Sequence, residues 1–128
     1  MLRSLALVLL FSSVTFASQW LNDYYEALEV AKKENKDIYM FVGADDCRWC
    51  DYFKEITLSK PEVIKRLEED FVLLYLSRDR HTVPYDLEVQ GVPRHYFFTN
   101  RGKLYYQDRG SREIDGFYLM LDEAELSK

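Results

Sequence analysis

The sequence predicts an α/β domain built on a central mixed sheet with helices on both faces. Three observations predict it. The runs 38–42 and 71–76 are almost continuously apolar, as expected for strands covered on both sides. Helix-period segments precede and separate them, so the two strands should be parallel and joined by a right-handed crossover. A third, aromatic run at 94–99 turns back through Asn100-Arg101-Gly102 into 103–107, a hairpin that adds antiparallel pairing.

Residues 1–17 read as a leader and 18–128 as one domain. Arg3 supplies a positive start, 5–11 is unbroken apolar sequence, and 12–17 is mainly small and polar, ending Thr15-Phe16-Ala17. That is the layout of a secretory signal peptide cleaved near Ala17. Its apolar core is too short to span a bilayer as a helix, so no stable membrane anchor is expected. The chain is therefore read as periplasmic or otherwise exported. The remaining length suits a single domain, and ten tyrosines, eight phenylalanines and two tryptophans provide the bulk for its core. The formal net charge of −5 argues against nucleic acid as a partner.

In chain order, 18–36 carries Trp20, Tyr24, Ala27, Leu28 and Ala31 at steps of three and four, a helical core face that Asn35 ends. The strand 38–42 follows, then a Gly43-Ala44-Asp45-Asp46 turn in which an aspartate is placed to cap the next helix. That helix starts at Cys47 and puts Cys50, Phe53 and Thr57 on one face, so Cys50 should be less exposed than Cys47. Ser59-Lys60-Pro61-Glu62 has the pattern of a helix start, with serine as cap and proline in the first turn; Val63, Ile64 and Leu67 form its apolar face. After the strand 71–76, residues 77–91 read as an irregular, solvated loop with a short helix around 85–89. The hairpin then leads through Gly110 into a last helix, 114–126, with Phe117, Leu121 and Ala124 inward. Repeats, low-complexity stretches and linkers are lacking.

The chemistry concentrates in Cys47-Arg48-Trp49-Cys50, which holds the only two cysteines. A strand leads in and a helix leads out. Free N–H groups and the helix dipole at a helix start stabilise an anion, here the Cys47 thiolate, the form that attacks disulfides. Strand, Cys-x-x-Cys and helix together form the pattern of a redox pair. An exported chain could instead use the two cysteines as a structural disulfide, but so small a ring removes little unfolded-state entropy. Asp45 and Asp46 oppose the thiolate while Arg48 favours it. A zinc site from Cys47, Cys50, His81 and His95 is the chemical rival, with a histidine spacing that matches no common finger.

With Met40-Phe41-Val42, the Cys-x-x-Cys, Lys60-Pro61-Glu62-Val63, Gly91-Val92-Pro93 and the aromatic Tyr96-Phe97-Phe98 strand in place, the chain resembles the thioredoxin superfamily. It is most similar to exported bacterial thioredoxin-related proteins, including the C-terminal domain of the disulfide-relay protein DsbD. The resemblance implies a thioredoxin-like fold over the whole of 18–128. It implies Cys47 as nucleophile, Cys50 as resolving cysteine, and a cis Pro93 beside the pair, with Val92 and Trp49 contacting substrate. The implied activity is thiol–disulfide exchange with protein substrates and a redox partner protein, by a monomer that needs neither cofactor nor metal. The alternative is a non-catalytic binding module that holds a client protein. The pattern departs from thioredoxin at Phe41, where an aspartate would stand six residues before the nucleophile, and at Asp46, where a tryptophan would stand.

Overall fold

The computed structural model describes residues 20–128; the leader and the proposed cleavage site lie outside them. Four helices and four strands follow in the order α1 (Tyr24–Glu34), β1 (Asp37–Gly43), α2 (Arg48–Phe53), α3 (Pro61–Asp70), β2 (Phe71–Ser77), β3 (Arg94–Phe98), β4 (Leu104–Arg109) and α4 (Ile114–Leu126). A π-turn, Lys54–Leu58, extends α2, and a 3₁₀ turn, Pro84–Asp86, sits in the loop after β2. The sheet runs β2-β1-β3-β4. β1 pairs parallel with β2 and antiparallel with β3, which pairs antiparallel with β4. It is the mixed α/β sheet expected from the sequence.

The central strand β1 is buried from Ile38 to Gly43 because each face has its own cover. Side chains alternate along a strand. Tyr39 and Phe41 therefore join Phe53, Val63, Leu67, Phe97 and Phe117 in the core under α2, α3 and α4. Ile38, Met40 and Val42 join Tyr24, Ala27, Ala31, Leu74 and Phe98 under α1. Burial of each such large side chain stabilises the fold by roughly 1.5–3 kcal/mol, which is why the apolar runs, more than local propensity, fix the register.

Element edges differ from the sequence reading in four places. α1 begins at Tyr24, not at 18, because the Asp23 carboxylate accepts from the Glu26 amide and caps it. Leu21, just upstream, is extended and bridges the outer edge of β2 at Leu74, with the Leu21 amide donating to Leu73 and the Tyr75 amide donating to Leu21. The predicted aspartate cap of α2 is absent: Cys47 itself is the N-cap residue. Ser59 does not cap α3, since its hydroxyl donates to the Glu55 carbonyl at the end of the π-turn; Lys60 precedes the helix and Pro61 opens it. The short helix placed at 85–89 is a 3₁₀ turn one residue earlier. Asn35, in the left-handed conformation, ends α1 as expected.

Candidate active site

Cys47 and Cys50 form a disulfide, with Cα atoms 5.2 Å apart. The central strand β1 delivers the chain to one edge of the domain, and the turn at 44–46 reverses it into α2. Cys47 Sγ accepts a hydrogen bond from the Cys50 amide at 3.1 Å, so the sulfur takes the place that a serine or aspartate oxygen usually takes at a helix start. The same amide would stabilise negative charge on Cys47 after reduction. Cys47 is 8% exposed and Cys50 0%, the difference expected from their places on the helix. Arg48 lies over the Trp49 ring at 5.4 Å, and Trp49 is 55% exposed, packed edge-on against Tyr52.

Beside the disulfide runs a groove lined by Trp49, Tyr52, Val92, Pro93, Gly110, Ser111 and Glu113. Cys47 Sγ lies 4.0 Å from the Val92 carbonyl oxygen; a disulfide sulfur has no proton to donate, so this is a contact only. The Val92–Pro93 peptide is cis, Pro93 is buried and Val92 half-buried. The far wall of the groove is tied to α2: the Thr57 hydroxyl donates to the Arg112 carbonyl at 2.6 Å, and the Tyr52 hydroxyl donates to Glu113 at 2.9 Å. That carboxylate raises the Tyr52 pKa above its ordinary value. Trp49, Val92 and Pro93, the residues expected to contact substrate, all line this groove.

The turn before Cys47 is stapled to the loop after β2. Asp45 accepts from the Ser77 hydroxyl at 2.8 Å and from Arg80 at 2.7 Å, and the Asp45 amide donates to Asp79. The Arg80 hydrogen bond, with that of Ser77, holds the Asp45 carboxyl below its ordinary pKa. The charged 78–81 cluster is therefore partly a support for the redox turn and not a free, solvated loop. Only the pairing of β1 with β2 brings it there, and no local motif signals it.

The four donors weighed as a zinc set are not gathered. His81 Nδ1 accepts from the Ser77 amide. His95 is fully buried on β3 with both nitrogens engaged. Nε2 lies 2.8 Å from the Gly110 carbonyl, which only accepts, so Nε2 carries the proton. Nδ1 then accepts from the Tyr39 hydroxyl at 2.7 Å. Neither nitrogen is left to act on Cys47. The Gly110 amide in turn donates to the Pro93 carbonyl, so this buried network fixes the backbone of the groove.

Burial pushes the His95 pKa down to about 4, while an unfolded histidine titrates near 6.5. Above pH ~6.5 neither state binds the proton. Below it the unfolded chain does and the folded one does not, so stability is lost as pH falls toward 4, by roughly 3 kcal/mol in all. Urea unfolding at pH 7 and pH 4.5 measures this loss. His95→Phe should lower stability at pH 7, by leaving the Tyr39 hydroxyl unpaired, yet flatten the acid limb. An acid limb of unchanged depth in the variant would assign the pH dependence elsewhere.

A mixed four-stranded sheet sandwiched by helices, with a Cys-x-x-Cys disulfide where the central strand enters α2, defines a thioredoxin-type redox domain. The chain belongs to the thioredoxin-like family, whose profile matches residues 19–100. Spermatogenesis-associated protein 20 from Homo sapiens is 39% identical over 54 residues, which are 42% of this chain and 7% of that protein; the chain thus spans only a small part of that relative. Among solved structures, a thioredoxin from Thermus thermophilus superposes with a TM-score of 0.66 at 23% identity, over 86% of this chain and 87% of its own. The oxidised DsbD C-terminal domain of Neisseria meningitidis does so with a TM-score of 0.62 at 21% identity, over 86% of this chain and all of that one. At these identities the two structures establish the fold.

Proposed function

We propose that this protein is an exported thiol–disulfide oxidoreductase that exchanges disulfides with protein substrates and with a redox partner protein. The observation that carries the reading is the placement of the Cys47–Cys50 disulfide at the start of α2, with the Cys47 sulfur hydrogen-bonded to a helix amide and 4.0 Å from the carbonyl oxygen of Val92, a residue that lines the groove. The reduced Cys47 thiolate attacks one sulfur of a substrate disulfide; that S–S bond breaks, the other substrate sulfur leaves as a thiol, and a mixed disulfide to Cys47 remains. Cys50 then attacks Cys47, the substrate sulfur leaves as a thiol, and two electrons have passed to the substrate. The reverse sequence oxidises a dithiol. An extended substrate segment pairs with the Val92 backbone in the manner of an added strand, and Trp49 forms one rim. The exchange needs one copy of the chain and draws on no cofactor, metal or nucleic acid. Reduction of a protein disulfide driven by a small dithiol tests the activity: the wild type should turn over and Cys47→Ser should not, and a wild type no faster than Cys47→Ser would return the protein to a client-holding module.

Two further outcomes follow from the same reading. Trp49 is mostly exposed, so Trp49→Ala should change stability by no more than about 0.5 kcal/mol. Its loss from the groove rim should raise KM for a protein substrate roughly fivefold, the equivalent of ~1 kcal/mol of contact. The rate toward a small disulfide too short to reach the rim should stay the same; an unchanged KM would remove Trp49 from the binding surface. Export is tested by the mass of the protein from the cell envelope, which should begin at or near Ser18. An intact Met1 there would reject cleavage.

A further inference from the structure

Resolution of a mixed disulfide requires Cys50 to lose its proton inside a core where Phe41, fully buried, offers no acceptor. The neighbouring side chains supply a different device. Tyr75 is the β2 partner of Phe41 across the sheet. Its hydroxyl accepts a hydrogen bond from the Lys54 ammonium at 3.2 Å, and the same ammonium sits 4.3 Å from the Tyr75 ring centroid. Lys54 lies one helical turn beyond Cys50, so both project from the same side of the helix. The bare α-carbon of Gly43 lies beside both Tyr75 and Cys50. A Cβ on it would fall 3.1 Å from the Tyr75 hydroxyl oxygen and 3.5 Å from Cys50 Sγ. The hydroxyl and the sulfur therefore both border the space that a side chain at position 43 would fill.

We propose that Tyr75 and Lys54 take the place of a buried carboxylate by stabilising the Cys50 thiolate as it forms. A hydroxyl accepts and donates at once: Tyr75 accepts from Lys54 and donates its own proton as a hydrogen bond to Cys50 sulfur, while Lys54 acts through Tyr75 as a positioning residue. The inference rests on the oxidoreductase reading. In the step itself the Cys50 S–H bond breaks and its proton passes to water. The Cys50 sulfur bonds to Cys47, the bond from Cys47 to the substrate sulfur breaks, and the departing thiolate takes up a proton from water. Tyr75 stays a neutral phenol and Lys54 an ammonium. Also near this point are the Arg80 guanidinium, which approaches the Tyr75 hydroxyl but is held by Asp45, and the His81 ring, 6.3 Å from that of Tyr75. The Lys54 ammonium is the charge in contact with that hydroxyl, and it favours a thiolate.

The test follows Cys50 directly. In Cys47→Ser protein labelled with ¹³C-cysteine, the Cβ chemical shift against pH gives the Cys50 midpoint. Tyr75→Phe, which keeps the ring, and Lys54→Met, which keeps the stem, should each raise that midpoint by about one pH unit, a tenfold loss of thiolate at fixed pH. Lys54→Arg should restore most of it. In the two-cysteine protein, decay of a preformed mixed disulfide should slow about tenfold near pH 7 in both variants, and the gap should close at high pH, as it would not if the variants merely loosened packing. Should Tyr75→Phe fail to fold, Lys54→Met on its half-exposed stem carries the test. An active wild type whose Cys50 midpoint is unmoved in the folded variants overturns the inference alone. A wild type inert toward protein disulfides rejects the oxidoreductase reading beneath it.

Discussion

Cys50→Ser is expected to accumulate partner proteins as adducts that a reductant releases, whereas Cys47→Ser captures few or none. Cys47 is the sulfur that meets the groove and accepts the Cys50 amide, and Cys50 is sealed beneath it. A substrate disulfide reaches Cys47 first, and only Cys50 is placed to release it. Serine at position 50 leaves the attack intact and removes the release. Each substitution should lower turnover by ~10³-fold or more, because residues that act as one nucleophilic unit fail together. The same asymmetry governs alkylation of the reduced protein: Cys47 should label first, and at a pH below the ~8.5 of a free thiol. Equal labelling and equal trapping by the two variants would return the pair to a structural disulfide. The trapped adducts, resolved by mass spectrometry, identify the substrates.

Phe41→Asp should produce the largest loss of stability. The ring packs edge-on against Phe53 at 5.3 Å and tilted against Tyr75 at 5.1 Å, and its removal alone costs roughly 3–5 kcal/mol. A carboxyl placed there is desolvated, which raises its pKa above that of the unfolded chain. The variant is then least destabilised, relative to wild type, below the ordinary aspartate pKa of ~4, and the deficit grows as pH rises toward the folded pKa. The Lys54 ammonium, 5.8 Å from the ring centroid, offsets part of the cost. The variant-minus-wild-type difference in urea midpoint, measured from pH 4 to pH 8, carries the test, with Phe41→Leu as the apolar control. In folded variant protein, resolution of a mixed disulfide should acquire a new pH dependence. A difference independent of pH, with resolution kinetics unchanged, would place position 41 away from the redox pair.

The sheet, its helices and the redox pair were legible because each depends on patterns a few residues long. The run at 38–42 is apolar at every position because both faces of β1 are covered, and the hairpin is announced by Asn100-Arg101-Gly102. The last helix matches its predicted span at both ends, since Gly110 separates it from β4. The misreadings arose where one local signal had two outlets. Trp20 continues the helical spacing of α1, yet the segment before Asp23 pairs with an edge of the sheet instead. Ser59 looks like a cap, yet the π-turn presents it with the Glu55 carbonyl first. Asp45 looks like a cap for α2, but Ser77 and Arg80 claim its carboxylate and a sulfur fills the cap position. Tyr75, Lys54 and Gly43 left no trace in the sequence, because only the register of β1 with β2 brings a tyrosine hydroxyl and a cysteine of the following helix to the same glycine. His95 reads from sequence only as a possible zinc ligand, since Tyr39 and Gly110 meet it only through the antiparallel pairing of β1 with β3 and the return of the chain after β4.

The central claim is that Cys47 and Cys50 are a working redox couple and not a staple. Equilibration of the protein against dithiol–disulfide buffers of known potential, with the two states separated by thiol labelling and mass, tests it most directly. One reversible two-electron transition is expected between about −270 and −120 mV, the span of thioredoxin-fold oxidoreductases. A pair that stays oxidised until buffers more reducing than about −300 mV, as structural disulfides do, would contradict it.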